Sequence, residues 1–527
     1  MRRGKISICF LVAFFIAVLP SLAFSATYYV DSSAGDDNHN GLSVDTAWRT
    51  IDKVNNMMPQ LPVGSDILFK RGEQFSGDSL YISVGGVETD PMVIGAYGEG
   101  PKPVLKDDTH IICTRKDLGY IHVQDIFFQN SGPGSAIYFA AENLHNIAVS
   151  RVDIRDSGQN GIFMAAVNGY LIEDCTIKNC GLSGIIIYGT DQDWPPITNG
   201  VIRGNEIVNM DPVHGDGITL HRSDGARHGE IGPNHLLENN RIGNCGENAY
   251  DLTSGSHIIL RHCEGYGSNE IEVLVSADDV LVDRCYFHDG NRDGIYIAPL
   301  STRARISNTI IQNMAGYSLT VGDDSGSSMP VTDVEIFHNT IYHTANTWVI
   351  NVIQGALRLQ FKNNIVFAKA SSRPRFVRYL VDSCSPDTTQ SDFNNNIWWS
   401  SNGDTTKFGW DNAQNKFFTF SQWKNSYHQG SNSQFAAPGF VDAAGGNYHL
   451  KKGSKGIDTG VNVGIIEDYD GLARPQGKQV DIGAFEYLQQ RSSIFLLLRG
   501  LLSRIDWNSR LNPTEVAPNL LVNKYIP

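Results

Sequence analysis

The sequence has few charged residues, few cysteines and fewer basic than acidic side chains. Charged residues make up 19% of the 527 positions, with 42 Lys and Arg against 56 Asp and Glu. The net charge of −14 leaves no basic excess to neutralise phosphates, which argues against a nucleic-acid partner. The eight cysteines are too sparse for a disulfide scaffold, and no Cys-x-x-Cys pair indicates zinc.

Long helical patterns are also missing. Between residues 120 and 400 no ten-residue stripe of helical period occurs, whereas runs of four to seven residues with alternating apolar positions are frequent. Turns rich in Gly, Asn and Asp separate these runs, and the chain holds 52 glycines. The pattern predicts short strands joined by tight turns. An apolar content of 41% excludes a disordered chain.

An apolar run stands near the N terminus, from Ile8 to Leu19, after three basic residues. Its twelve residues are too few to span a bilayer core of roughly 30 Å. Ala23 and Ser25 supply the small side chains that a signal-peptide cleavage site requires. We therefore expect no membrane span and a mature chain exported from a bacterial cytoplasm, either secreted or displayed at the cell surface.

A short phrase recurs along the chain: a first position that is Asn six times and Cys three times, then any residue, then an aliphatic or aromatic residue. The steps between successive copies run from 22 to 35 residues, with 22 to 24 as the base period. Such a period is typical of a solenoid with insertions on particular faces. Because each unit holds short strands, we predict a parallel β-helix with an inward ladder of Asn and Cys. The phrase begins at Val152, Cys175, Asn205, Asn240, Cys263, Cys285, Asn308, Asn339, Asn363 and Asn395.

Together with segments at both ends, the repeat resembles secreted right-handed parallel β-helix proteins of the pectate-lyase-like superfamily. The N-terminal similarity runs from Tyr28 to Ile51, and the C-terminal segment resembles a choice-of-anchor module. The resemblance implies an all-β fold and a carbohydrate-active protein. The C-terminal motifs are Asp468-Tyr469-Asp470-Gly471, Arg474-Pro475 and Asp481-Ile482-Gly483-Ala484-Phe485-Glu486-Tyr487.

A capping helix is expected at the N-terminal end of the β-helix. Ala47, Ile51, Val54 and Met58 recur at helical spacing, with Thr46 as the N-cap residue. Such a helix covers the edge strands that would otherwise invite aggregation. We divide the chain into a signal peptide 1–25, an N-terminal cap segment 26–79, a β-helix 80–400, aromatic-rich coils with the C-terminal module 401–487, and a tail 488–527.

The candidate site lies on the strand that follows each repeat phrase. Alternation of side chains gives an outward column in which Asp251 is followed by Glu272, and His221 lies beside Thr253. Coils stack about 4.8 Å apart, so Asp251 and Glu272 are expected to be neighbours. The full predicted column is Phe163, Ile186, Thr219, Asp251, Glu272, Tyr296 and Thr320.

Paired carboxylates allow three interpretations. Asp251 and Glu272 bind Ca²⁺, they act as acid and base in glycoside hydrolysis, or they belong to a solvated acidic surface. We predict catalytic roles for His221, Asp216, Asp251 and Glu272, and substrate binding by His214, Arg222, Asp293 and Tyr296.

No lysine occurs between Lys178 and Lys362, which excludes a lysine base from these coils. The resemblance implies that a lyase or epimerase would use His221 or Arg222 to take the C5 proton of a uronate. A local basic cluster that could meet an acidic glycan follows at Arg373, Arg375 and Arg378.

The sequence therefore predicts a secreted protein that cleaves or epimerises a polysaccharide by lyase or hydrolase chemistry. The alternative is a non-catalytic, surface-exposed β-helix that binds glycans or serves as structure. The enzyme and the non-catalytic hypotheses differ in whether the carboxylates within residues 214–296 take part in catalysis.

Overall fold

The computed structural model describes residues 25–108, 110–129, 132–189, 194–222, 231–323, 330–369, 375–379, 389–403, 407–410 and 416–488. The expected signal peptide, apart from Ser25, and the tail beyond residue 488 lie outside the described residues. So do Arg373, Cys384 and the side chain of Arg222.

The described chain is a right-handed parallel β-helix, as predicted. Each coil supplies up to three strands, which form a front row, a side row and a back row. The front and side rows belong to one 25-stranded sheet, and the back row is a separate sheet of 14 strands. Strands within each row pair in parallel, except for Phe417–Phe418, which runs antiparallel to Lys407–Trp410.

The front row carries the candidate site. Its strands are Leu80–Tyr81, Ile111–Cys113, Ile137–Ser150, Ile162–Glu173, Ile185–Gly189, Ile218–Arg222, Asn248–Leu252, Ile271–Val275, Asp293–Ile297, Leu319–Val321, Trp348–Val352, Arg375–Tyr379 and Lys407–Trp410.

The side row includes the continuations of the two long strands Ile137–Ser150 and Ile162–Glu173. Its other strands are Thr27–Val30, Asp66–Lys70, Met92–Tyr97, Gly119–Gln124, Thr198–Arg203, Pro233–Glu238, Ser256–Arg261, Asp278–Asp283, Arg305–Ser307, Glu335–Phe337 and Gln360–Lys362.

The back row holds the strands of the repeat phrase. They are Gln74–Phe75, Val104–Lys106, Phe127–Gln129, Asp153–Arg155, Thr176–Lys178, Glu206–Val208, Arg241–Gly243, Glu264–Tyr266, Tyr286–His288, Ile310–Gln312, Thr340–His343, Ile365–Ala368, Ile397–Ser400 and Gln434–Phe435. Strands of the rows thus occur within residues 26–79 and beyond residue 400, inside both segments that flank the predicted β-helix.

A ladder of polar side chains precedes the back row inside the coil. Asn205 Nδ2 donates to Asn240 Oδ1 at 2.9 Å, and Asn339 Nδ2 donates to Asn364 Oδ1 at 3.0 Å. Three ladder positions differ from the prediction by one residue, because Asn308, Asn363 and Asn395 have φ between 49° and 59° and form the preceding turn. The ladder residues in those coils are Thr309, Asn364 and Asn396.

The predicted capping helix forms, but it begins later than expected. It spans Ile51–Met57, and its N-cap is Thr50, whose hydroxyl accepts a hydrogen bond from the Lys53 backbone N–H. The expected N-cap, Thr46, instead ends a short 3-10 helix, Val44–Thr46, and Ala47 lies in the extended segment between them. A second 3-10 helix, Met58–Gln60, follows. None of the described helices is long and apolar enough to cross a membrane.

The C-terminal segment packs on the outside of the back row. After the helix Phe420–Tyr427 it forms a hairpin of Phe440–Asp442 and Asn447–Leu450. Phe440 and Ile482 share one buried cluster with Ile365 of the back row. The segment is therefore joined to the solenoid by apolar packing. A further two-stranded pairing in the solenoid joins Val331–Thr332 to Ala356–Leu357.

Candidate active site

The front row has a different register from the one predicted. Asp251 is the Cα partner of Thr219 on one side and of Leu274 on the other. Glu272 therefore lies opposite Ala249, two positions before Leu274, and the predicted pairing of Asp251 with Glu272 is wrong. The outward column of the structure reads Phe163, Ile186, Thr219, Asp251, Leu274, Tyr296, Thr320, Asn351 and Arg378.

A regular spacing in the sequence would have given this register. Ten residues separate the ladder residue Asn240 from the inward residue Tyr250, and ten also separate Cys263 from Val273. The prediction placed the inward position at Ile271, two residues too early. Shifting a strand by two residues leaves every side chain on the same face of the sheet. The wrong register therefore still placed apolar residues inward.

Glu272 points into the corner of the coil instead of toward solvent. It has 0% exposure, and its carboxylate oxygens accept hydrogen bonds from Ser268 N at 3.0 Å and Ser268 Oγ at 2.9 Å. Burial raises the pKa of Glu272 to about 8. The predicted calcium site on Asp251 and Glu272 is not formed. Among the described residues, no group of three or more His, Cys, Asp and Glu side chains is placed to hold a metal ion.

Replacing Glu272 by Gln tests this structural role. The pKa of Glu272 is raised on folding from 4.5 to about 8, so its stabilising contribution is complete below pH 4.5 and is lost as the pH rises toward 8. The loss is on the order of a few kcal/mol. We expect Glu272→Gln to melt several degrees above the wild type at pH 9 and at a similar temperature at pH 4. Equal melting temperatures at both pH values would contradict the assignment.

Two other carboxylates occupy adjacent coils of the front row. Asp216 is 6% exposed and stands just before its strand, where Oδ1 accepts from Asn248 N at 2.9 Å and from Asn248 Nδ2 at 3.1 Å. Its Oδ2 accepts from Thr219 Oγ1 at 3.1 Å. Burial, aided by the negative charge of Glu247, raises the pKa of Asp216 to about 6, while the hydrogen bonds oppose that rise.

Asp251 is held in a less polar environment than Asp216. It is 7% exposed, and its Oδ1 has no hydrogen-bond donor among the described residues. Burial, together with the charge of Asp216, raises the pKa of Asp251 well above its ordinary value, and the Thr253 hydroxyl opposes this shift. The two acids therefore differ: Asp251 favours the neutral form, and Asp216 ionises near neutral pH.

We call Asp216 and Asp251 the acid pair. His221 lies beside Asp251 and next to Thr253, the neighbour predicted for it. Its Nδ1 is 2.9 Å from Thr253 Oγ1 and 4.0 Å from Asp251 Oδ2. The ring stacks on Tyr188 of the preceding coil, with 6.2 Å between ring centroids. Thr253 thus contacts both the histidine and the buried acid.

An aromatic strip, formed by Tyr138, Phe163 and Tyr188, leads along the front row to His221. The ring centroids of Tyr138 and Phe163 are 4.8 Å apart, and those of Phe163 and Tyr188 are 5.7 Å apart. Of the three, only Phe163 was in the predicted column. Tyr188 could have been found from the sequence, because it follows the inward residue Ile187 directly.

The remaining predicted residues lie around this centre. His214 is on the turn before Asp216, largely exposed, with Nδ1 3.6 Å from Glu247 Oε1. Asp293 accepts from Tyr317 N at 2.9 Å and lies two coils beyond the Asp251 strand.

Tyr296 is also two coils beyond Asp251, and it packs in an apolar cluster with Ile271, Leu274 and Ala298. Arg222 ends its strand, and its side chain is outside the described part of the chain. The structure thus brings together Asp216, His221 and Asp251, and it separates Glu272, Asp293 and Tyr296 from them.

Parts of this chain are similar to known proteins. A family model described as "Right handed beta helix region" matches residues 135–227 and 198–366. A lacto-N-biosidase of Bifidobacterium longum subsp. longum is 32% identical over 126 residues, which cover 20% of this chain and 8% of that protein. The chain therefore spans less than a tenth of the length of this relative.

Solved structures with a similar arrangement include other carbohydrate-acting proteins. A GH136 lacto-N-biosidase from Eubacterium ramulus is 13% identical, with a TM-score of 0.42 over 73% of this chain and 67% of that one. A mannuronic acid specific polysaccharide family 6 lyase from human gut microbiota is 15% identical, with a TM-score of 0.47 over 72% of this chain and 87% of that one. A pectate lyase is 12% identical, with a TM-score of 0.40 over 89% and 98%.

Proposed function

We propose that the chain is an exported, carbohydrate-active β-helix enzyme that hydrolyses a glycosidic bond on its front row. The observation that carries this proposal is the pair of buried carboxylates, Asp216 and Asp251, in adjacent coils with unequal protonation. Glycoside hydrolysis needs two such groups, one protonated and one ionised. The local match to a lacto-N-biosidase supports a glycan as the substrate.

Each acid has a role that follows from its surroundings. Asp251, neutral because of burial and the nearby Asp216 charge, protonates the glycosidic oxygen as the bond breaks. Asp216, whose carboxylate accepts three hydrogen bonds, acts as the base or nucleophile. Ionisation of Asp216 itself helps to keep the proton on Asp251, since two nearby negative charges repel each other.

The aromatic strip supplies a surface for the sugar. Aromatic faces of Tyr138, Phe163 and Tyr188 are apolar and partly exposed, while their neighbours in the coil are packed inside. An aromatic ring buries a large area at little conformational cost, so it suits the apolar faces of pyranose rings. A glycan lying along the front row would reach the acid pair from this strip.

β-Elimination is the second candidate, favoured by the position of His221 next to Asp251. In that reaction His221 takes the C5 proton of a uronate. The elimination also requires positive charge at the uronate carboxylate, whereas His221 Nδ1 is 4.0 Å from Asp251 Oδ2, and the charges of Asp216 and Glu247 act on Asp251. The acidic surroundings therefore favour hydrolysis.

The pH dependence of turnover tests the assignment. Asp216 must be ionised and Asp251 protonated, so kcat/KM should rise through pH 6 and fall at higher pH. A glycan panel, with products separated by chromatography, gives the rates. New reducing ends without absorbance of an unsaturated product indicate hydrolysis, and a rise in that absorbance indicates elimination. Absence of turnover on the whole panel would favour a non-catalytic glycan-binding or structural protein.

A further inference from the structure

A second group of polar and aromatic side chains lies at the other end of the front row. This basic group consists of Tyr317, Trp348, Asn351, Arg375 and Arg378. Trp348 is the Cα partner of Arg375, and Asn351 is the Cα partner of Arg378. Tyr317 and Trp348 thus belong to two successive coils, and both arginines lie on the strand of the next coil.

The aromatic rings hold the guanidinium groups. Arg378 Nη1 donates to the Tyr317 hydroxyl at 2.5 Å, and its guanidinium carbon is 5.9 Å from the centroid of that ring. The guanidinium carbon of Arg375 is 5.6 Å from the centroid of Trp348. Guanidinium groups oriented in this way present planar N–H donors, the geometry that matches carboxylate and sulfate oxygens.

Two donors of the basic group, on Trp348 and Arg375, have no acceptor among the described residues. Trp348 is 3% exposed, and its indole Nε1 has no acceptor among the described residues. Arg375 Nε likewise has no acceptor there, and no described carboxylate forms an ion pair with Arg375. Buried donors of this kind are normally paired, which points to an oxygen-rich ligand.

The basic group and the acid pair lie on the same surface. Arg378 continues the outward column that contains Asp251, five strand steps further on. At about 4.8 Å for each step the separation is roughly 24 Å, which is several monosaccharide units. The front row is thus acidic where cleavage is proposed and basic further along the axis, although the chain as a whole has a charge of −14.

We propose that Arg375 and Arg378 form a subsite for a carboxylate or sulfate group of the glycan, several sugar units from the acid pair. The proposal rests on the proposed function in placing a glycan along the front row, and it makes the substrate an anionic polysaccharide. Trp348 and Tyr317 hold the arginines in place.

Titration calorimetry with the full chain tests the subsite. An oligogalacturonate, a keratan sulfate oligosaccharide and a neutral xylo-oligosaccharide of equal length serve as carboxylate, sulfate and uncharged probes, in the Asp251→Asn background. We expect at least one anionic probe to bind 10-fold more tightly than the neutral one, with an affinity that falls as salt is added. Arg375→Gln with Arg378→Gln should remove that preference. Which anionic probe binds distinguishes carboxylate from sulfate.

Matched variants separate a lost subsite from a lost fold. Arg305→Gln with Arg358→Gln removes the same charge from the side row and its neighbouring turn, where each arginine pairs with an exposed or half-buried carboxylate, and should leave the preference intact. Arg375→Lys with Arg378→Lys keeps the charge and should retain part of the preference. Equal affinity of the wild type for charged and neutral probes, or an unchanged preference in the Gln variant, overturns the subsite.

Turnover distinguishes this proposal from the proposed function. Cleavage of anionic glycans at an unchanged rate in the Arg375→Gln, Arg378→Gln variant overturns the subsite and leaves the hydrolase standing. Selective binding of an anionic probe without cleavage of any glycan supports the subsite and overturns the hydrolase.

Discussion

The Asp251→Asn variant is expected to lose about 100-fold or more of kcat while its KM changes little. An amide at this position cannot deliver a proton to the leaving oxygen, and general acid catalysis contributes roughly 10²- to 10⁴-fold. The shape of the side chain is nearly unchanged, and Thr253 can still hydrogen-bond to residue 251. Steady-state kinetics on the best glycan of the panel, at pH 6 and above, give both constants.

The pH dependence of the Asp251→Asn variant tests whether its loss of kcat comes from the missing proton. In the Asp251→Asn variant the fall of kcat/KM at high pH should disappear, because the group responsible for it has been removed. The pKa of Asp216 should change little, because the negative charge that raises it is that of Glu247 and Asp251 is already neutral where Asp216 ionises.

Asp66→Asn is a suitable control for the loss of a carboxylate. Asp66 lies in the side row, its pKa is also raised by burial, and it accepts from Val93 N at 3.1 Å. The control should retain full activity. If Asp251→Asn retains full activity as well, the acid pair does not carry the chemistry.

The Arg474→Met variant is expected to lose about 3–5 kcal/mol of stability. Arg474 forms hydrogen bonds both within the C-terminal segment and to the solenoid. Within the segment, its Nη1 donates to Glu486 Oε1 at 2.8 Å. Across to the solenoid, its Nη2 donates to Asn308 Oδ1 at 3.0 Å. Both side chains of the Arg474–Glu486 pair have 0% exposure. Removing one partner leaves the Glu486 charge buried without its cation, which costs much more than the pair itself contributes.

The loss of stability is measured by chemical denaturation, monitored by tryptophan fluorescence. Limited proteolysis, scored for cleavage beyond residue 434, reports separately on release of the C-terminal segment. Arg358→Met is the matched control, because its ion pair with Asp333 is exposed and should contribute about 0–1 kcal/mol. Arg474→Met combined with Glu486→Leu should recover part of the stability, since no buried charge is then left alone. An effect of Arg474→Met equal to that of the control would show that the segment is held by apolar packing alone.

The sequence by itself determined the architecture. The recurring phrase fixed the coil length, because each copy supplies one back-row strand and one ladder residue such as Asn205 or Asn240. The alternation of apolar residues fixed which strand faces are inward. Local signals were sufficient here, since a solenoid coil contacts mainly its neighbours and no distant segment changes its pattern.

The capping helix and the ladder show where local signals become ambiguous. Thr46 and Thr50 both precede apolar residues at helical spacing, and only Thr50 makes the capping hydrogen bond. Asn308 and Thr309 both suit a turn, and the left-handed backbone conformation of Asn308 decides which residue enters the ladder.

Only the tertiary structure decided the composition of the candidate site. Ile218 follows Asn205 by 13 positions, whereas Tyr250 follows Asn240 and Val273 follows Cys263 by ten, so turn length varies between coils and no single spacing from the ladder residue aligns all the strands. Burial depends on neighbouring coils as well. Glu272 is inside a corner and Asp251 is on the surface that the proposed substrate would meet, although both follow apolar residues in short strands. A carboxylate acquires its protonation state from that environment, which no single strand contains.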